Sequence, residues 1–289
     1  MKQLIVFLLI SSSVFATSPH DRWIAQAKRV TIYRDSFGVP HIYGKSDADA
    51  VFGMLYAQCE DDFARVERNY IEKLGRLAEV DGEKQLANDL YLRLIIDSEE
   101  AKADFQKSPI WLKRLLIAFA DGINYYLYKH PEVKPALLTH FEPWYPLLWT
   151  DGSIGAISTG DITEKEVAAF YGLNIQLAHQ RETVPDEDLT GSNGFAVGKP
   201  LSKSGNSLLY INPHVTFYFR PEIHVNSKTG MNVYGAVTWG QFFVYQGFNQ
   251  YGGWMHTSSQ VDVSDMYREK VEMRKGIPYY LLDGQWRPM

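Results

Sequence analysis

The sequence predicts an α+β protein, and three observations predict it. Apolar residues in the first half recur at gaps of three and four. The second half alternates apolar with polar residues between turn-forming stretches, and a charged, proline-containing segment divides the two. The expected organisation is a targeting segment at 1–16, a mostly helical segment at 17–180, a linker at 181–191 and antiparallel strands over 192–289.

At the N-terminus Lys2 precedes the apolar run Leu4–Ile10, and Val14-Phe15-Ala16 offers a small-residue cleavage site. That run is too short to span a bilayer, so export to the periplasm or medium is expected, with no stable membrane span. Arg29–Arg34 and His41–Gly44 read as short strands around the turn Asp35–Pro40. His41 is expected to be structural. Ser46 caps a long helix, with Asp47 and Asp49 in its first turn and the stripe Val51, Leu55, Cys59, Phe63, Val66, Tyr70, Leu74 and Leu77 along one face. More helix is expected over 86–105, from Pro109 to His130, and over 161–180. After the linker, Phe195–Gly198 and Ser207–Ile211 form one alternating pair. Phe217–Val225 and Met231–Thr238 form a second.

Composition limits the chemistry. The 289 residues are 45% hydrophobic and 22% charged, an ordinary globular balance with ample material for a core. A net charge of −5 gives no basic footprint for nucleic acid. Aromatics make up 14% and several cluster late in the chain, where lining an apolar pocket is one use for them. Cys59 is the only cysteine, which excludes an internal disulfide and a cysteine-based zinc site.

The candidate nucleophile is Ser192, in Thr190-Gly191-Ser192-Asn193-Gly194 at the start of a strand. The nucleophile elbow G-x-S-x-G is absent, because Thr190 stands where its first glycine would be. A Ser-His-Asp triad of Ser192, His214 and Asp262 is conceivable, as is a metal site from His214, His224, His256, Asp262 and Asp265, but no paired-histidine motif supports the latter. The plain alternative for Ser192 is a turn serine leading into a strand.

Four stretches, in order, resemble the penicillin acylase family of N-terminal nucleophile hydrolases, which includes penicillin, cephalosporin and acyl-homoserine lactone acylases. They are Arg34-Asp35-Ser36-Phe37-Gly38-Val39-Pro40-His41-Ile42; Phe52–Gln58 with Glu60-Asp61; Gly191-Ser192-Asn193; and Gly247-Phe248-Asn249 leading to Trp254-Met255-His256-Thr257. The resemblance implies an αββα four-layer sandwich with an added helical region, incomplete in this chain. It implies a precursor that cuts itself between Gly191 and Ser192, leaving two segments held together. The freed α-amine, with a pKa of about 7.7–8.0, then serves as the base for Ser192 Oγ. The expected reaction is release of an acyl chain from a linear amide such as an acyl-homoserine lactone or a β-lactam.

The family places its nucleophile-orienting residue where His214 stands, 22 residues on, and a backbone oxyanion donor where Ser258 stands. A second donor, an asparagine far downstream, has no counterpart assigned here. Val215, Phe217, Phe219 and Trp254 are candidate acyl-pocket walls. Asp262, Ser264 and Asp265, with Glu164 or Glu166, resemble the family's calcium ligands, and a structural Ca²⁺ is the only cofactor expected. A solvated acidic loop is the alternative there. Relatives are longer, so the competing expectation is a catalytically silent fragment that at most binds acyl ligands.

Overall fold

The structure, a computed structural model, describes residues 18–148, 162–174, 192–214, 220–257 and 269–289. The targeting segment, the linker with Gly191, and Val215, Phe217, Phe219, Ser258, Asp262, Ser264 and Asp265 lie outside the described residues.

The first helix, α1 (Pro19–Ala27), starts at Ser18, whose Oγ accepts the Asp21 N–H. Strands β1 (Val30–Arg34) and β2 (Pro40–Gly44) form a hairpin. In its turn the Asp35 carboxylate accepts the N–H groups of Phe37 and Val39 at 2.9 and 3.0 Å, and Gly38 adopts φ +83°, which favours glycine. Burial pushes the Asp35 carboxyl up, but those two hydrogen bonds and the contact with His41 outweigh it and leave the group below its usual value.

Helix α2 (Asp47–Lys73) begins at the Ser46 cap as the pattern requires, and its stripe is buried from Val51 to Tyr70. It kinks at Asp62 (φ −159°), whose Oδ1 accepts the Arg65 N–H and so caps the second stretch. The helical run expected over 86–105 is two helices, α4 (Leu86–Ile95) and α5 (Ser98–Lys107), after the single turn α3 (Ala78–Asp81). The divider is Asp97, whose carboxylate caps α5 by accepting from Glu99 and Glu100. Helix α6 (Ile110–Lys129) ends before His130, as expected. In the 161–180 stretch, α7 (Glu164–Phe170) stops two residues before Gly172 at φ +64°.

The later strands are β3 (Ser192–Val197), β4 (Leu208–Pro213), β5 (Glu222–Ser227), β6 (Asn232–Ala236), β7 (Gln246–Phe248), β8 (Gly253–Trp254), β9 (Val271–Arg274), β10 (Ile277–Leu282) and β11 (Gln285–Pro288). The main sheet runs β1-β2-β5-β6-β7-β8, with β2 and β5 parallel and the other pairs antiparallel. Helix-then-strand order is therefore only part of the architecture, since strands from both halves of the chain share one sheet. Strands β3-β4 and β9-β10-β11 form smaller sheets.

Helix α2 packs on one face of the main sheet and α6 packs against α2, and Ile42, Phe52, Leu55, Tyr70, Phe119, Ile123 and Ile223 belong to the core they close. Gly122 lets α6 approach α2; a Cβ there would stand 2.5 Å from the Phe52 carbonyl oxygen. Polar groups stitch the halves together as well. Gln58 donates to the Gln241 carbonyl (3.0 Å) and accepts the Gly240 N–H (2.8 Å), and Tyr70 Oη donates to the Gly240 carbonyl (2.6 Å). Buried polar groups need such partners, and these three satisfy each other across the seam.

Candidate active site

Strand alternation sorts the main sheet's side chains. Val225, Val233 and Trp254 face the helices, whereas His41, His224, Tyr234, Phe248 and Met255 occupy the opposite side or edge. Trp254, with Met54, Leu115, Val225, Val233 and Val244 among others, lines an almost wholly apolar cavity of ≈ 410 Å³. The indole N–H donates to the Val244 carbonyl at 3.3 Å. Trp254 is thus turned toward the helices, while the next residue, Met255, meets the Ser192 hairpin.

That hairpin, β3-β4, lies against the β8 end of the sheet at two glycines. A Cβ on Gly194 would fall 1.7 Å from Met255 Sδ, and one on Gly253 would fall 2.4 Å from Leu209 Cδ2. The G-x-N stretch has a local cause too: Asn249 Oδ1 accepts the N–H groups of Tyr251 and Gly252 and shapes the turn into β8. Gly247 faces Gly235 in the ladder, where a side chain on either would strike backbone.

Ser192 opens β3 opposite Pro213, which has no N–H for the ladder. The next residue, His214, points its backbone N–H at Ser192 Oγ at 3.4 Å, a long contact. Its imidazole turns elsewhere. Nε2 lies 3.1 Å from Asn193 Nδ2 and 3.3 Å from Asn212 Oδ1, and Nδ1 is buried with no hydrogen-bond partner among the described residues. The Ser192 peptide N–H donates to Thr257 Oγ1 at 3.0 Å. Thr257 Oγ1 in turn donates to the Ser192 carbonyl at 2.8 Å.

Of the other constellation only the three histidines are described, and each has different neighbours. His224 Nδ1 meets His41 Nδ1 at 3.0 Å, His256 packs at a tilt on Tyr245, and His214 faces asparagines. Among the described residues no group of three or more histidine, cysteine or acidic side chains can hold a metal. Of the calcium candidates Glu164 and Glu166 are described; burial, and then the neighbouring Glu72 carboxylate, hold the Glu164 carboxyl above the usual value, whereas Glu166 accepts the Thr163 N–H in the capping box of α7. No described helix is long and apolar enough to cross a membrane.

The residues that carry these contacts also carry the resemblance. Arg34 ties the first motif to the second, reaching Glu60 and Asp61 at 3.2 and 2.9 Å, and Thr257 ties the fourth to the third. The family model for penicillin amidase matches residues 29–289. The chain belongs to the penicillin amidase family.

Two relatives give the scale of the match. The acyl-homoserine lactone acylase QuiP of Pseudomonas putida is 26% identical over 91% of this chain and 38% of its own length. The acyl-homoserine lactone acylase PvdQ of Pseudomonas fluorescens is 26% identical over 98% of this chain and 39% of its own. The chain thus spans less than two fifths of the length of these relatives. A thermostable penicillin G acylase from Alcaligenes faecalis overlaps 48% of this chain and 79% of its own, at 21% identity and a TM-score of 0.41. The contacts of Gln58 and Thr257 could not be read from the sequence. Each joins residues distant in the chain and leaves no periodic signal.

Proposed function

We propose that this chain carries the nucleophile-bearing part of a self-processing acylase, with Ser192 as the nucleophile. The observation that carries the reading is the setting of Ser192. It opens a strand, its nitrogen and carbonyl are both held by Thr257, and its Oγ faces the His214 backbone N–H. A conventional triad needs a histidine ring on the serine oxygen, and His214 offers its main chain instead.

In the precursor, Ser192 Oγ attacks the Gly191 carbonyl carbon. The Gly191–Ser192 C–N bond breaks as the serine oxygen's proton passes to the nitrogen, which frees the amine, and water then hydrolyses the resulting ester to give the Gly191 carboxylate and restore the Ser192 hydroxyl. In turnover the amine takes the Oγ proton, Oγ attacks the substrate's amide carbon, and the leaving amine departs with that proton. Water releases the acyl group. The Ser258 N–H serves the oxyanion, and His214 positions the nucleophile. The substrate class is a linear acyl amide of the acyl-homoserine lactone or β-lactam kind. Val215, Phe217, Phe219 and Trp254 are the proposed apolar walls for the acyl group.

The same reading includes export on residues 1–16, an αββα sandwich completed around the main sheet, and two segments that stay joined after the cut. It also includes a Ca²⁺ held by Glu164 with Asp262, Ser264 and Asp265, whose carboxylate and carbonyl oxygens suit that ion. Activity is tested by incubation with N-acyl-homoserine lactones, reading free homoserine lactone by mass spectrometry, with Ser192→Ala as the blank. Release lost in the variant supports the reading; release undiminished contradicts it.

A further inference from the structure

Thr257 does more than close a loop on Ser192. Its hydroxyl has one proton, and that proton is committed to the Ser192 carbonyl at 2.8 Å. At the Ser192 nitrogen, 3.0 Å away, the same oxygen can therefore only accept. The segment that presents it is braced. Gln246, 4% exposed, donates to the His256 carbonyl at 3.2 Å and accepts from Arg220 Nη1 at 2.9 Å. The Arg220 guanidinium lies 4.3 Å from the Tyr245 ring centre, and that ring packs on His256 with centroids 4.3 Å apart. On the other side Met255 is pressed against Gly194.

We infer that Thr257 is the positioning residue for the α-nitrogen of Ser192, first in self-cleavage and then in turnover; the inference rests on the processing reading above. In the uncut chain a peptide N–H lies in the plane of its own amide, so fixing its direction fixes rotation about the Ser192 N–Cα bond. That rotation decides where the Gly191 carbonyl carbon lies relative to Ser192 Oγ. In the cut chain an amine with one N–H held by an obligate acceptor must turn its lone pair to one of the remaining tetrahedral directions. The side of its own Oγ is among them. Alignment of this kind converts a slow encounter into an intramolecular step.

The test compares the 289-residue chain with Thr257→Val and Thr257→Ser, following the fraction cut at Gly191–Ser192 by intact mass over time and across pH. Circular dichroism and thermal melting establish that each is folded. Thr257→Val keeps the size but removes both hydrogen bonds, and its cleavage is expected to slow by at least about tenfold. Thr257→Ser keeps the hydroxyl and should cut within about threefold of wild type with an unchanged pH profile. Cleavage of Thr257→Val at the wild-type rate overturns the inference while leaving the processing reading intact. So does a Thr257→Ser variant as slow as the valine, which would assign the effect to the lost methyl group. A wild-type chain that stays uncut overturns the processing reading and this inference with it. If Thr257→Val does not fold, Thr257→Cys replaces it, with a thiol too weak an acceptor to hold the nitrogen and the same two outcomes.

Discussion

The seam between α2, α6 and the main sheet differs sharply from the β3-β4 hairpin that carries Ser192. At the seam Phe119, Leu55 and Ile42 have no exposed surface. On the hairpin Phe195 is 61% exposed and Tyr210 48%, stacked on each other with ring centroids 4.8 Å apart. The seam is held by bulk apolar burial and satisfied buried polar groups, so it tolerates the loss of any one surface contact. The hairpin is placed by a few specific contacts: Thr257 on Ser192, Met255 against Gly194, and Leu209 against Gly253. Stability and site geometry are therefore carried by different residues, and substitutions can separate them.

The largest effect is expected at the seam. Phe119→Ala leaves a cavity beside Tyr70 and should cost about 3–5 kcal/mol in urea unfolding, whereas Phe195→Ala should cost under about 1 kcal/mol. Equal costs would dissolve the distinction. Next comes Gly194→Ala, whose methyl group must displace Met255; a loss of about 1–2 kcal/mol and slower cleavage at Ser192 are expected. The Gly194→Ala/Met255→Ala double variant should recover much of the stability, which a double-mutant cycle would detect as coupling. A third outcome concerns the cut protein. The parallel β2-β5 ladder and the Gln58 and Tyr70 bonds join residues before and after Ser192, so both segments should elute together in gel filtration and separate only in denaturant.

The smallest effect is expected at Glu164. Its folded carboxyl lies above the usual value because of burial and Glu72, so the folded state binds protons more readily than the unfolded state. The cost to stability is absent at acid pH, grows as pH rises through the shifted range and is complete above it. With chelator present, Glu164→Gln should raise the melting temperature at pH 7 by about 2 °C and change nothing near pH 3. Added Ca²⁺ should then stabilise wild type but not the variant if Glu164 is a ligand.

Much of the scaffold was legible in the sequence because single residues dictated it. Ser46 starts α2, the stripe from Val51 to Tyr70 is the buried one, and Asp35 and Gly38 shape the first turn. The break between α4 and α5 was equally local, at Asp97, but the run of helix formers around it hid the cap. The β9-β11 sheet had its own signals in Lys275-Gly276 and Asp283-Gly284, where positive φ at both residues marks tight hairpin turns. What the sequence could not disclose was pairing at a distance. Examples are His41 beside His224 across parallel strands, Gln58 against Gly240 and Gln241, and Thr257 against Ser192, 65 positions apart. The proposed nucleophile Ser192 was picked out by its motif. Its brace was not, because a threonine that accepts one hydrogen bond and donates another has no pattern of its own.

The most direct test of the central claim is intact mass with N-terminal sequencing of the expressed chain, beside Ser192→Ala. The account predicts a new terminus beginning Ser192-Asn193-Gly194 in the wild type and an uncut variant. A wild-type chain that folds yet stays joined at Gly191-Ser192, or a variant cut as readily as wild type, would contradict it.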